Sequence, residues 1–175
     1  MKKILLASVL AIFCLSADAA KMKPEDWKFE PTFGPSIGVR RANTRFNMNF
    51  KVGKENWGYQ LGMAFGGTTP KVMLRPAIVY DLPYYLTFSK SRPNDFSVGP
   101  TFSVGPVLGF SGATMIDFLT LSFGARTTYQ FSKRFGVVAE LINFNMGFVR
   151  WISGVGINTN FTITYDMKFG VFMLF

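Results

Sequence analysis

The chain is 175 residues long, with 19 basic and 10 acidic side chains, 20 Phe, 6 Tyr, 3 Trp, one Cys and no His. Its length makes one domain, and the lack of histidine removes the commonest general base and metal ligand, so no catalytic residue, metal or cofactor is expected. A formal net charge of +9 would suit nucleic acid, but a chain this aromatic that opens with an export leader is a poor candidate for that partner.

The leader comes first. Lys2 and Lys3 precede an apolar run from Ile4 to Leu15, and Ala17-Asp18-Ala19 offers a small-x-small cleavage site. This is the pattern of a secretory signal peptide over residues 1–20, with residues 21–175 as the mature domain. The run is shorter than the about 20 apolar residues of a spanning helix. Cys14 lies inside the leader, and Phe13 before it does not suit a lipoprotein signal. Removing the leader leaves 17 basic and 9 acidic residues and no cysteine, so neither a disulfide nor thiol chemistry is available.

The rest reads as strands of period two. Phe33, Pro35, Ile37 and Val39 alternate with Thr32, Gly34, Ser36 and Gly38, and a tight turn near Ala42-Asn43 leads into the next strand. There Phe46, Met48, Phe50 and Val52 oppose Arg45, Asn47, Asn49 and Lys51. After a turn at Gly53-Lys54-Glu55-Asn56, Trp57, Tyr59, Leu61, Met63 and Phe65 oppose Gly58, Gln60, Gly62, Ala64 and Gly66. From Val72 to Phe88 the even positions are apolar, with Arg75, Ala77 and Asp81 on the other face. Pro83 is an alternative break, because proline donates no ladder bond.

Ser89 to Asp95 is a turn, and Phe96 to Phe110 directs Phe96, Val98, Phe102, Val104, Leu108 and Phe110 away from Ser97, Gly99, Thr101, Ser103 and Gly105. Ser111 to Thr114 is a loop, Leu119 to Phe131 a strand, and Ser132-Lys133-Arg134 a turn. The strand from Phe135 slips in parity near Asn143, where a bulge or the strand end would put Phe144, Met146 and Phe148 outward. Val155 to Phe175 keeps odd positions apolar or Thr.

No stretch after the leader could cross a bilayer as a helix, yet apolar residues abound. Only helices and closed barrels satisfy their backbone inside lipid, so the expected fold is all-β: a membrane-spanning, antiparallel up-and-down β-barrel of eight strands, both termini periplasmic. Splitting at Pro83 and near Asp166 gives ten, and that alternative stays open. The face opposite the aromatics holds Arg40, Arg45, Asn49, Lys51, Gln60, Arg75, Asp81, Arg126, Glu140, Asp166 and Lys168. Eight strands leave just enough interior for side chains to fill, so these polar groups belong inside and the aromatics on lipid. Pairing Phe131 with Phe135 puts Arg126 opposite Glu140 and predicts a luminal salt bridge. The same arithmetic sets Asn49 against Gln60 and Arg40 against Arg45, a like-charge pair lacking an evident acid. Buried charges need partners, so the set reads first as structural plugs.

The last octet, Lys168-Phe169-Gly170-Val171-Phe172-Met173-Leu174-Phe175, resembles the C-terminal insertion signal of bacterial outer-membrane β-barrels, carried by Lys168, Gly170, Met173 and the terminal Phe175. The chain as a whole resembles small outer-membrane barrels of the OmpX/OmpA or opacity type, over about residues 29–175. The resemblance implies the outer membrane as location, the barrel assembly machinery as a partner during biogenesis, and a monomer. Barrel enzymes of that kind, such as lipid A deacylases, use a histidine that this chain lacks. What it implies for function is a structural envelope role, or a binder or narrow conduit for a small hydrophobic molecule. The alternative is a lipopolysaccharide- or host-surface-binding barrel. Arg41, Lys71 and Arg150, near the proposed external rim, are the candidate lipopolysaccharide contacts.

Overall fold

Alternation is carried almost unbroken into backbone. The structure is a computed structural model that describes residues 27–38, 44–54, 56–67, 70–82, 95–111, 113–159 and 161–175. Its strands are β1 (Trp27–Gly38), β2 (Thr44–Lys54), β3 (Trp57–Phe65), β4 (Val72–Asp81), β5 (Asp95–Ser111), β6 (Ala113–Gln130), β7 (Phe135–Ile152), β8 (Gly156–Asn158) and β9 (Thr162–Leu174). Each strand from β1 to β7 pairs antiparallel with the next, and β1 and β7 both pair with β9, which closes the ring. β8 is a three-residue continuation of the β7 hairpin, so the barrel has eight staves. Asp166 lies inside β9, which removes the ten-strand split proposed there. The signal peptide, the continuation of the fourth strand past Pro83 and the turn at 89–95 lie outside the described residues, apart from Asp95 at the start of β5.

Three sequence-derived registers meet different outcomes. Arg126 is the Cα partner of Glu140, as the tight Ser132-Lys133-Arg134 turn requires. Around the first hairpin the ladder runs on to Lys54↔Trp57, a shorter connection than the expected four residues. Asn49 therefore faces Gly62, and Lys51 faces Gln60. The predicted Arg40–Arg45 pairing is also incorrect. Arg45 is opposite Ser36, in a β1–β2 ladder that runs from Trp27↔Lys54 to Ile37↔Thr44; the tight turn expected near Ala42-Asn43 lies outside the described residues. That register spares the barrel a like-charge pair directly across the ladder.

Two bulges reset the parity of the longest strands. In β7 the register shifts between Glu140 and Asn143, so Leu141 and Ile142 both face out and Asn143, Asn145 and Gly147 turn inward. The Tyr165 hydroxyl, on the neighbouring strand, donates to the Leu141 carbonyl, which satisfies an acceptor that lipid could not. In β6 a shift beyond Asp117 leaves Phe118 and Leu119 both exposed.

Burial is the reverse of a soluble protein's. Tyr59 is 73 % exposed and Trp57 60 %, while Arg126 is 1 % exposed. Outward aromatic rings touch across strands: Phe123, Phe144 and Tyr165 run around the wall at centroid spacings of 5.4 and 5.5 Å, and Trp57 meets Tyr80 at 4.6 Å. Such pairs add about 0.5–1.5 kcal/mol each beyond area burial. A strand crosses the hydrocarbon in about 9–11 tilted residues, and the 11 residues of β2 suffice.

Candidate functional site

The inward side chains fall into layers along the barrel axis. At the end of the barrel where Trp27 and Phe175 lie, Val138, Phe172 and Leu174 form a buried apolar cluster. Phe172 can lie flat there because its cross-strand partner is Gly136. A methyl group at Gly136 would sit 2.2 Å from the ring edge. Lys28 reaches over the same ring, its Nζ 4.3 Å from the centroid, a cation–π contact in a desolvated place.

Above this floor lies a lattice of five charges. The Arg126 guanidinium bonds Glu30 through Nη2, and its Nη1 donates to Asp81 Oδ2 at 2.8 Å. Lys28 Nζ is 3.2 Å from Glu30 Oε2, and Lys51 is bonded to Asp81. Thr101 Oγ1 donates to the other Asp81 oxygen at 2.8 Å. Staves β1, β2, β4, β5 and β6 are thus tied through the lumen rather than along the wall. A second group follows, in which Glu140 Oε2 accepts from Lys168 Nζ at 3.1 Å and from Asn143 Nδ2 at 2.9 Å. Arg75 Nη1 donates to Asp166 Oδ2 at 3.1 Å.

Arg126 and Glu140 are placed across from one another as predicted, but their ion pairs are made elsewhere. An arginine long enough to reach the axis of a narrow barrel finds Glu30 and Asp81 on distant staves. Glu140, next to the bulge, meets the β9 lysine directly across the ladder. Of the other luminal residues read from sequence, Gln60 Nε2 donates to Asn49 Oδ1 at 3.2 Å, a diagonal contact rather than a facing pair. Arg45 donates to the carbonyls of Gly66 and Pro70, both at 3.3 Å, at the rim opposite the Phe172 floor. Arg40 lies outside the described residues. Lys28, Glu30, Thr101 and Asp117 were missed as polar partners. For the first two the signal was present: Glu30 and Lys28 share the even parity of Thr32, Gly34 and Ser36, so extending that strand upstream places both inside.

The rim residues separate in the same way. Lys71 is exposed, Arg41 lies outside the described residues, and Arg150 is turned onto Asp117 in a bidentate pair of 2.7 and 2.9 Å. In the insertion signal, Met173 and Phe175 face outward, while Lys168 and Gly170 face the lumen. Phe175 exchanges backbone hydrogen bonds of 2.9 Å with Trp27.

Charges inside and aromatics outside demand lipid around the wall, since water there would face a continuous apolar surface. The fold is that of an outer-membrane β-barrel. No protein-family model matches the chain, and no curated relative does. Among solved structures, Neisserial surface protein A (NspA) is similar with a TM-score of 0.50 at 11 % identity, covering 86 % of this chain and 96 % of that one. The N-terminal β-barrel domain of Pseudomonas aeruginosa OprF aligns over 86 % of this chain and 97 % of its own, with a TM-score of 0.42 and 11 % identity.

Proposed function

We propose that this protein is a closed barrel with a structural role in the outer envelope, a wall element rather than a conduit. The observation that carries the reading is the Arg126 lattice, which joins β1, β4 and β6 across the lumen directly above the Val138, Phe172 and Leu174 floor. A polar interior crossed by ion pairs also gives a small hydrophobic molecule no apolar path. Lipopolysaccharide is then an ordinary neighbour of the rim, met by Lys71, while Arg150 serves Asp117. The reading assigns no catalytic group.

Planar-bilayer recording of the purified, refolded protein tests it. Silence at moderate voltage is the expected result, with no swelling of protein-loaded liposomes in small sugars. Regular conductance steps would overturn the closed-lumen reading.

A further inference from the structure

Between the charge lattice and the rim opposite the Phe172 floor the lumen contains a small cavity of about 20 Å³, lined among others by Asn49, Arg75, Thr120 and Asp166. One water needs roughly 10–15 Å³ measured this way, so there is room for one and hardly for two. Each of these four side chains has a buried atom with no hydrogen-bond partner among the described residues: Asn49 Nδ2, Arg75 Nε, Thr120 Oγ1 and Asp166 Oδ1. Asn49 is 3 % exposed and Asp166 1 %.

These are the unused halves of groups whose other halves are fixed. Gln60 holds Asn49 Oδ1 and so leaves the amide nitrogen free. Arg75 Nη1 holds Asp166 Oδ2 and leaves Nε and Oδ1. The cavity also borders an interruption in the wall. The β4–β5 ladder stops between Leu74↔Leu108 and Ile78↔Val104, where Pro76 faces Pro106 and neither has an N–H to give. A buried polar atom left without a partner forfeits the hydrogen bonds it made to water in the unfolded chain, and four of them on side chains that line one cavity make a dry interior there costly.

We propose that this chamber is a binding site for one resident water molecule. The water accepts from Asn49 Nδ2 and Arg75 Nε, donates to Asp166 Oδ1, and shares its remaining hydrogen with the rotatable Thr120 hydroxyl. The balance of partners selects water over other small occupants. An anion would meet the Asp166 oxygen, a cation would meet two nitrogen donors, and an apolar atom would satisfy nothing. The inference stands apart from the closed-lumen reading, because these four groups can hold a water against the wall whether or not the floor beneath them conducts.

A crystal structure of the refolded barrel at a resolution that shows ordered waters is the test, with xenon-pressurised and bromide-soaked crystals beside it. The expected result is a single peak within hydrogen-bond distance of at least three of the four groups, absent in Asn49→Leu, whose leucine fills the space while heat-modifiable gel mobility persists. An empty chamber, xenon in it, or a bromide anomalous signal would each overturn the proposal, the last by making it an anion site.

Discussion

Asp81→Asn and Arg126→Met each remove one charge from the luminal lattice, and the structure orders their costs. The lattice holds three cations, Lys28, Lys51 and Arg126, against two carboxylates, Glu30 and Asp81. Asp81→Asn leaves three cations around Glu30 and deprives Lys51, 6 % exposed, of its carboxylate. Breaking a buried pair in this way costs about 3–5 kcal/mol. Arg126→Met leaves Lys28 with Glu30 and Lys51 with Asp81, two balanced pairs, and substitutes a side chain of similar length that needs no solvation. Replacing buried charge by apolar volume is often nearly neutral, so about 1–2 kcal/mol is expected, mostly lost hydrogen bonding. Urea unfolding of the barrel in lipid vesicles, followed by tryptophan fluorescence and gel mobility, measures both. Arg126→Met as destabilising as Asp81→Asn would refute charge balance as the organising term and shift the weight to the guanidinium's geometry.

Other substitutions probe the layers above and below. Gly136→Ala should displace the Phe172 ring and cost about 1–3 kcal/mol as overpacking, read in the same urea titration. Asp117→Asn, which leaves Arg150 22 % exposed to water rather than sealed in the lumen, should cost less than Asp81→Asn, about 1–3 kcal/mol, and leave gel mobility unchanged. Phe175→Ser should lower the yield of assembled barrel in cells, since the terminal aromatic is read as part of the insertion signal, while refolding of purified protein into detergent is barely altered.

Side-chain parity was legible because lipid and lumen differ so sharply in what they accept, and residues as far apart as Phe46 and Phe169 obey it; it breaks at the bulges, where Phe118 with Leu119 and Leu141 with Ile142 both face outward. Register was legible only where a turn was short and typical. Ser132-Lys133-Arg134 yielded the Arg126↔Glu140 pairing, whereas the β1–β2 and β2–β3 ladders give Arg45, Asn49 and Gln60 partners other than those expected. The ion pairs were the least legible layer. Cross-strand arithmetic names neighbours along the wall, and in a lumen a few side chains wide the decisive partner of a long residue lies on a stave that no hairpin connects. Arg126 with Glu30 and Arg75 with Asp166 are of this kind, and the bulge at Leu141–Ile142 hid Asn143 as a partner of Glu140 until its position was fixed.

That geometry separates when the two kinds of interaction can act during folding. Ladder bonds between hairpin strands join residues close in sequence and reward each turn as it forms. The Arg126–Glu30 bond spans 96 residues and the Arg75–Asp166 bond 91, so neither exists until β9 has met β1 and the ring is closed. Loop closure must be met before such contacts return anything. The lattice therefore stabilises the closed state over every partly assembled one and acts as a lock on closure rather than a guide to it. Its loss should appear chiefly as faster unfolding. A barrel with charged residues facing inward before closure would be exposing them to lipid, and late pairing inside a finished wall is the arrangement that avoids this cost.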